Sequence, residues 1–64
     1  MDEFMEAMKE VLVDNFNAYG ADPGFRENVE VIKDWRESGE ITEDQYRELR
    51  SFNRSTYSDL PLDM

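Results

Sequence analysis

Four carboxylates at a constant step, Asp2, Glu6, Glu10 and Asp14, are the residues whose types and spacing suggest chemistry most directly. In an α-helix a four-residue step keeps side chains on one slowly turning face and rises about 6 Å. Glu27, Glu30, Asp34 and Glu37 repeat the pattern further along. Such ridges can imitate nucleic-acid phosphates and occupy a basic groove on a DNA- or RNA-binding protein. A DNA strand carries a charge roughly every 3.4 Å of axis, so one ridge is too sparse and two on neighbouring helices are needed. The plainer role of the same acids is to solvate the outer faces of amphipathic helices. A hard cation would need oxygens converging from a tight turn. Asn15 to Glu27 comes nearest, with Asn15, Asn17, Tyr19 and Gly20 in partial register, but Arg26 stands where the closing acid belongs. Hydrolysis fares worse, because Ser38, Ser51, Ser55 and Ser58 have neither His nor Cys beside them anywhere in the chain. The sequence assigns no catalytic residue, no metal ligand and no cofactor.

Charge points the same way. Against 7 Lys and Arg stand 16 Asp and Glu, for a net charge of −9. Residues 1–44 hold 13 acids and 4 bases, whereas residues 45–64 hold 3 of each, so the excess lies in the first two-thirds. That balance opposes direct nucleic-acid and anionic-membrane binding and favours a protein partner with a basic surface. Arg47, Arg50 and Arg54 form a basic stripe that could hold phosphate, although intramolecular pairs such as Glu43 with Arg47 account for part of it. No run of 18 apolar residues exists, and the N-terminus is acidic, which predicts a cytoplasmic protein without a membrane span or secretory signal.

The elements that must position these residues read as three helices, about 2–19, 23–38 and 42–54, followed by an irregular tail, 55–64. Phe4, Met8, Val11, Leu12, Phe16 and Tyr19 recur at three and four residue steps and define the apolar face of the first. Gly20 closes it, Ala21-Asp22-Pro23 reads as a connector, and Asp22 is the expected cap of a second helix whose stripe is Phe25, Val29, Ile32 and Trp35. Ser38-Gly39 stops that helix. Thr42 and Gln45 form a capping box for the third, with Ile41 and Tyr46 as its staple and Tyr46, Leu49 and Phe52 as its buried face. Ser55-Thr56 and Pro61 argue against further helix, while Tyr57, Leu60 and Leu62 can fold back on the core. Short connections make consecutive helices antiparallel neighbours, so the fold class is all-α: a small three-helix bundle, or a long helix packed on a helical hairpin.

The stretch Ile32-Lys33-Asp34-Trp35-Arg36-Glu37-Ser38-Gly39-Glu40-Ile41-Thr42-Glu43-Asp44-Gln45-Tyr46-Arg47-Glu48-Leu49 resembles the helical hairpin of the short C-terminal domain family, in which Gly-x-Ile-Thr joins two helices. The resemblance covers about a third of the chain and implies an interaction or oligomerisation element. Small size, acidity and the lack of catalytic residues also resemble early proteins of bacterial viruses, which implies action in a host cytoplasm.

Two modes of partner binding follow. In the first, the eight ridge carboxylates engage the Lys and Arg of a nucleic-acid-binding protein. In the second, an apolar surface around Val31, Trp35, Arg36, Phe52, Tyr57 and Leu60 binds a partner or a second copy as a homodimer. Asn15 and Arg36 fall inside apolar arcs, and Val13 and Val31 lie at their margins. Such residues either mark a surface or are absorbed locally, Asn15 by a backbone group and Arg36 by laying its stem on the core.

Overall fold

The computed structural model describes residues 3–60. Three helices of 17 residues, α1 (Glu3–Tyr19), α2 (Ala21–Glu37) and α3 (Glu43–Asp59), make an all-α three-helix bundle, with no strand among the described residues. Asp2, Pro61 and Leu62 lie outside them.

A single residue turns the chain between α1 and α2. Gly20 has φ 97° and ψ 178°, a conformation essentially closed to side chains larger than hydrogen. Its N–H donates to the Phe16 carbonyl and its own carbonyl accepts from the Gly24 N–H, each at 2.9 Å. The same glycine therefore ends one helix and opens the next. The connector expected at Ala21-Asp22-Pro23 is thus already helical, and Asp22 does not cap α2. Pro23 is tolerated because the first-turn N–H groups of a helix have no intrahelical acceptor to lose.

At the other end of α2, Glu40 N–H donates to the Trp35 carbonyl at 2.9 Å and Gly39 N–H to the Arg36 carbonyl at 3.2 Å. This six-to-one and five-to-two pair is the Schellman closure that the Ser38-Gly39 stop predicts. The capping box also forms as its spacing requires. Thr42 Oγ1 accepts from the Gln45 N–H at 3.2 Å, and Gln45 Oε1 accepts from the Thr42 N–H at 2.8 Å.

α3 runs five residues past its expected end, through Ser55-Thr56 to Asp59. The weak helix preference of that pair is overridden by Tyr57, whose ring lies 4.8 Å from that of Phe25 and 6.4 Å from that of Phe16. Its hydroxyl donates to Asp22 Oδ1. The helix stops at Leu60, where φ −66° and ψ 143° are the values a following proline imposes.

Met5, Met8, Leu12, Ile32, Ile41 and Leu49 form the core cluster, ringed by half-buried Trp35, Tyr46 and Phe52. The buried face of α1 is Met5, Met8, Leu12 and Phe16, rotated from the expected one. Phe4, Val11 and Tyr19 are exposed, as is Val29 on α2. The reason is that α3 packs on the Lys9 side of α1, where Lys9 reaches Glu48 and lies over the Phe52 ring, so the buried arc shifts towards Met5 and away from Phe4.

Candidate functional site

Glu6, Glu10 and Asp14 are exposed on α1, and Glu27, Glu30, Asp34 and Glu37 are exposed on α2. With about 100° of rotation per residue, the α1 ridge points roughly 155° away from the middle of the buried arc of its helix. The α2 ridge points roughly 140° away from the arc of Gly24, Asn28 and Ile32. Three salt bridges occur among the described residues: Lys9–Glu48 at 3.0 Å, Arg36–Glu43 at 3.3 Å and Arg47–Glu43 at 3.3 Å. None involves a ridge. Lys9, Arg36 and Arg47 pair with Glu48 and Glu43, and no salt bridge among the described residues reaches the seven described ridge carboxylates.

The ridges do not merge into one double row. α1 and α2 meet at Gly24, where an added Cβ would lie 2.8 Å from Phe16 Cα and 3.0 Å from the Asn15 carbonyl oxygen. On the side of this seam away from α3, Phe4 and Val11 lie about 20–40° round α1 from Asn15, and half-buried Val31 lies about 20° round α2 from Gly24. Phe4 is 47% exposed and Val11 40%. An apolar strip therefore runs along the seam, bordered by one carboxylate ridge on each helix. Sequence patterning missed this strip because it counted Phe4 and Val11 as core.

The residues of the alternative apolar interface are dispersed. Trp35 and Phe52 rest half-buried on the core, and Val31 belongs to the α1–α2 seam. Arg36 reaches across to Glu43 on α3. Tyr57 and half-buried Leu60 sit at the end of α3, and Leu60 N–H donates to the Tyr57 carbonyl. The Tyr57 hydroxyl is held protonated above its ordinary value of 10.0, first by its hydrogen bond to Asp22 and then by the charge of that carboxylate, with nearby Arg26 opposing.

Asn15 meets a side chain rather than a backbone group. Its amide donates to Asn28 Oδ1 at 2.8 Å; Asn28 Nδ2 in turn donates to Asn53 Oδ1 at 2.9 Å and to the Leu12 carbonyl at 3.0 Å. Asn53 Nδ2 donates to the Phe25 carbonyl at 3.4 Å. One amide from each helix thus joins the chain, half-buried at Asn15 and buried at Asn28 and Asn53, and no buried side-chain polar atom among the described residues lacks a partner. The signal was available in part: Asn28 is four residues before Ile32 and Asn53 four after Leu49, both on buried stripes. Among the described residues no group of three carboxylates is placed to hold a metal ion, and no helix is long and apolar enough to cross a membrane.

No protein-family model, curated protein or solved structure matches this chain.

Proposed function

We propose that the protein is a non-enzymatic binding protein that inhibits or modulates a protein partner by laying its acidic α1–α2 face on a basic surface of that partner. The carrying observation is that Glu6, Glu10, Asp14, Glu27, Glu30, Asp34 and Glu37 are exposed and that none of the salt bridges among the described residues involves them. On this reading the ridges take the place of phosphates for a nucleic-acid-binding protein, in a host cytoplasm where the chain is virus-encoded. Asp2 would extend the α1 ridge by one step. The apolar strip between the ridges adds contact area that phosphates lack, so the preferred surface carries apolar residues flanked by Lys and Arg.

The test is capture from source-cell lysate by tagged wild type and by the Glu10→Lys/Asp14→Lys variant, washed at low and at high salt. The expected result is a nucleic-acid-binding protein held by the wild type at low salt, released at high salt and lost by the variant, because exposed charge pairs are screened beyond about 8–10 Å at physiological ionic strength. Equal retention by the variant overturns the reading. The exposure of Phe4 and Val11 supports a second one, an interaction or homodimerisation module, for which capture persists or strengthens with salt.

A further inference from the structure

Six of the seven basic residues, all but Lys9, lie on α2 and α3. Arg47, Arg50 and Arg54 form one stripe on α3 and line, with Ser51 and Ser55, a solvent-open depression of about 420 Å³. Arg50 and Arg54 also border a small crevice with Phe25, Val29 and Ile32 of α2, which places the stripe along the α2–α3 seam. From α2, Arg36 reaches this side to meet Glu43, and Arg26 lies near the Tyr57 hydroxyl. The ridges border the other seam of α2. A chain of net charge −9 thus carries a local basic stripe of Arg47, Arg50 and Arg54 on α3, away from the α1–α2 ridges.

The arginines of the stripe differ in what already holds them. Glu43 binds Arg47 and Arg36 together. Arg50 lies over the Tyr46 ring, 5.6 Å from its centroid, a contact that orients the guanidinium without neutralising it. Arg54 has no ion-pair partner among the described residues. Glu43 is engaged by two arginines and Asp22 by Tyr57, while exposed Asp44 lies one turn before Arg47 on the same helix. Two guanidinium forks one helical turn apart thus remain unclaimed beside two serine hydroxyls.

We propose that Arg50 and Arg54, with Ser51 and Ser55 and flanked by Arg47, bind a phosphate group carried on a small ligand. Phosphate has three acceptor oxygens for two planar forks and the hydroxyls, whereas a carboxylate has two. The stripe spans only about 10 Å from Arg47 to Arg54, and the net charge repels a long polyanion, so the ligand is compact. A second copy offering its α1 ridge fits the stripe in length, but exposed carboxylate–guanidinium pairs contribute too little each to offset the cost of association. The site is independent of the acidic face and of what that face binds.

The experiment follows the arginine Nε–Hε resonances of the ¹⁵N-labelled full chain at low salt during titration with inorganic phosphate, with ADP and with an uncharged peptide bearing one phosphoserine. The expected result is saturable movement of the Arg50 and Arg54 signals with at least one probe, reached below roughly 10 mM. Arg54→Gln should weaken that binding about tenfold or more, with the backbone amide spectrum showing the bundle intact. Tighter binding of ADP or inorganic phosphate than of the peptide supports the small phosphate ligand, and tighter binding of the peptide would assign the stripe to a phosphorylated protein instead and overturn it. Linear shifts with all three probes, equal movement of Arg26 and Arg36, or unchanged binding by Arg54→Gln in an intact fold overturns it.

Discussion

At the scale of single residues, the most consequential groups are the buried amides. Asn28 uses one acceptor and both donors within the protein, so its removal strands the Asn53 oxygen in the interior. Leaving a buried polar group unpaired costs about 1–3 kcal/mol, and a chain of this length has about 3–10 kcal/mol in total. Asn28→Ala should therefore remove roughly 2–3 kcal/mol in urea unfolding. The double variant Asn28→Leu/Asn53→Leu should cost less than the sum of its single changes, since replacing both partners leaves neither stranded. Additivity would show that the bridge between them contributes nothing. Tyr57 is the second such residue. Its folded-state pKa is raised, so the stability its hydroxyl contributes is fully present below pH 10 and is lost as pH rises through the folded value. Stability measured from pH 8 to 11.5 should fall at the alkaline end, and Tyr57→Phe should flatten that fall. The return of Tyr57 to the core was legible in the sequence, whereas its Asp22 partner and the role of Asn28 were not, because an amide in an apolar stripe reads as a misfit until its partner is known. Asn15 stood out for that reason, but Asn28 and Asn53, 25 positions apart in sequence, gave no sign of meeting.

Among the elements, legibility followed locality. The capping box at Thr42 and Gln45 and the stop at Ser38-Gly39 were readable because every group involved lies within six residues. The start of α2 and the end of α3 were not, because Gly20 does the work of a whole connector and Tyr57 holds the last turn of α3 from across the bundle. The rotated face of α1 has the same origin: 3.6-residue periodicity finds a stripe, but only the positions of two neighbours say which edge of it is covered. Gly24 tests this at the α1–α2 crossing. Alanine would gain about 1 kcal/mol in intrinsic helix preference, yet its Cβ would meet backbone atoms of α1 at 2.8 and 3.0 Å. Backbone cannot move aside as a side-chain tip can, so the helices must part. Overpacking of this kind costs about 1–3 kcal/mol, and Gly24→Ala should come out destabilised by up to about 2 kcal/mol net in thermal or urea melts. A neutral or stabilised variant would mean that the crossing is looser than the contact distance implies.

Across the whole molecule, the separation of charge links stability to function. The acidic excess was plain in the sequence, and so were the ridges; the apolar strip between them and the gathering of arginines on the opposite seam needed the packing of α2 between its neighbours. On α1, Glu6 with Glu10 and Glu10 with Asp14 are like charges four residues apart, and none of the salt bridges among the described residues involves them. Each such pair opposes the helix by about 0.2–0.5 kcal/mol, and an opposite pair favours it by a similar amount. Glu10→Lys converts two repulsions into two attractions and should stabilise the bundle by about 1 kcal/mol at low ionic strength. The gain should shrink in 0.5 M salt, where the charges are screened. If the ridge exists to meet a partner, the same substitution weakens partner binding while strengthening the fold, the trade-off expected where a surface is shaped by function rather than by stability. Urea melts of wild type and variant at two salt concentrations decide the first half. A destabilised Glu10→Lys would show that Glu10 supports the fold, and would remove the ground for assigning the ridge to a partner.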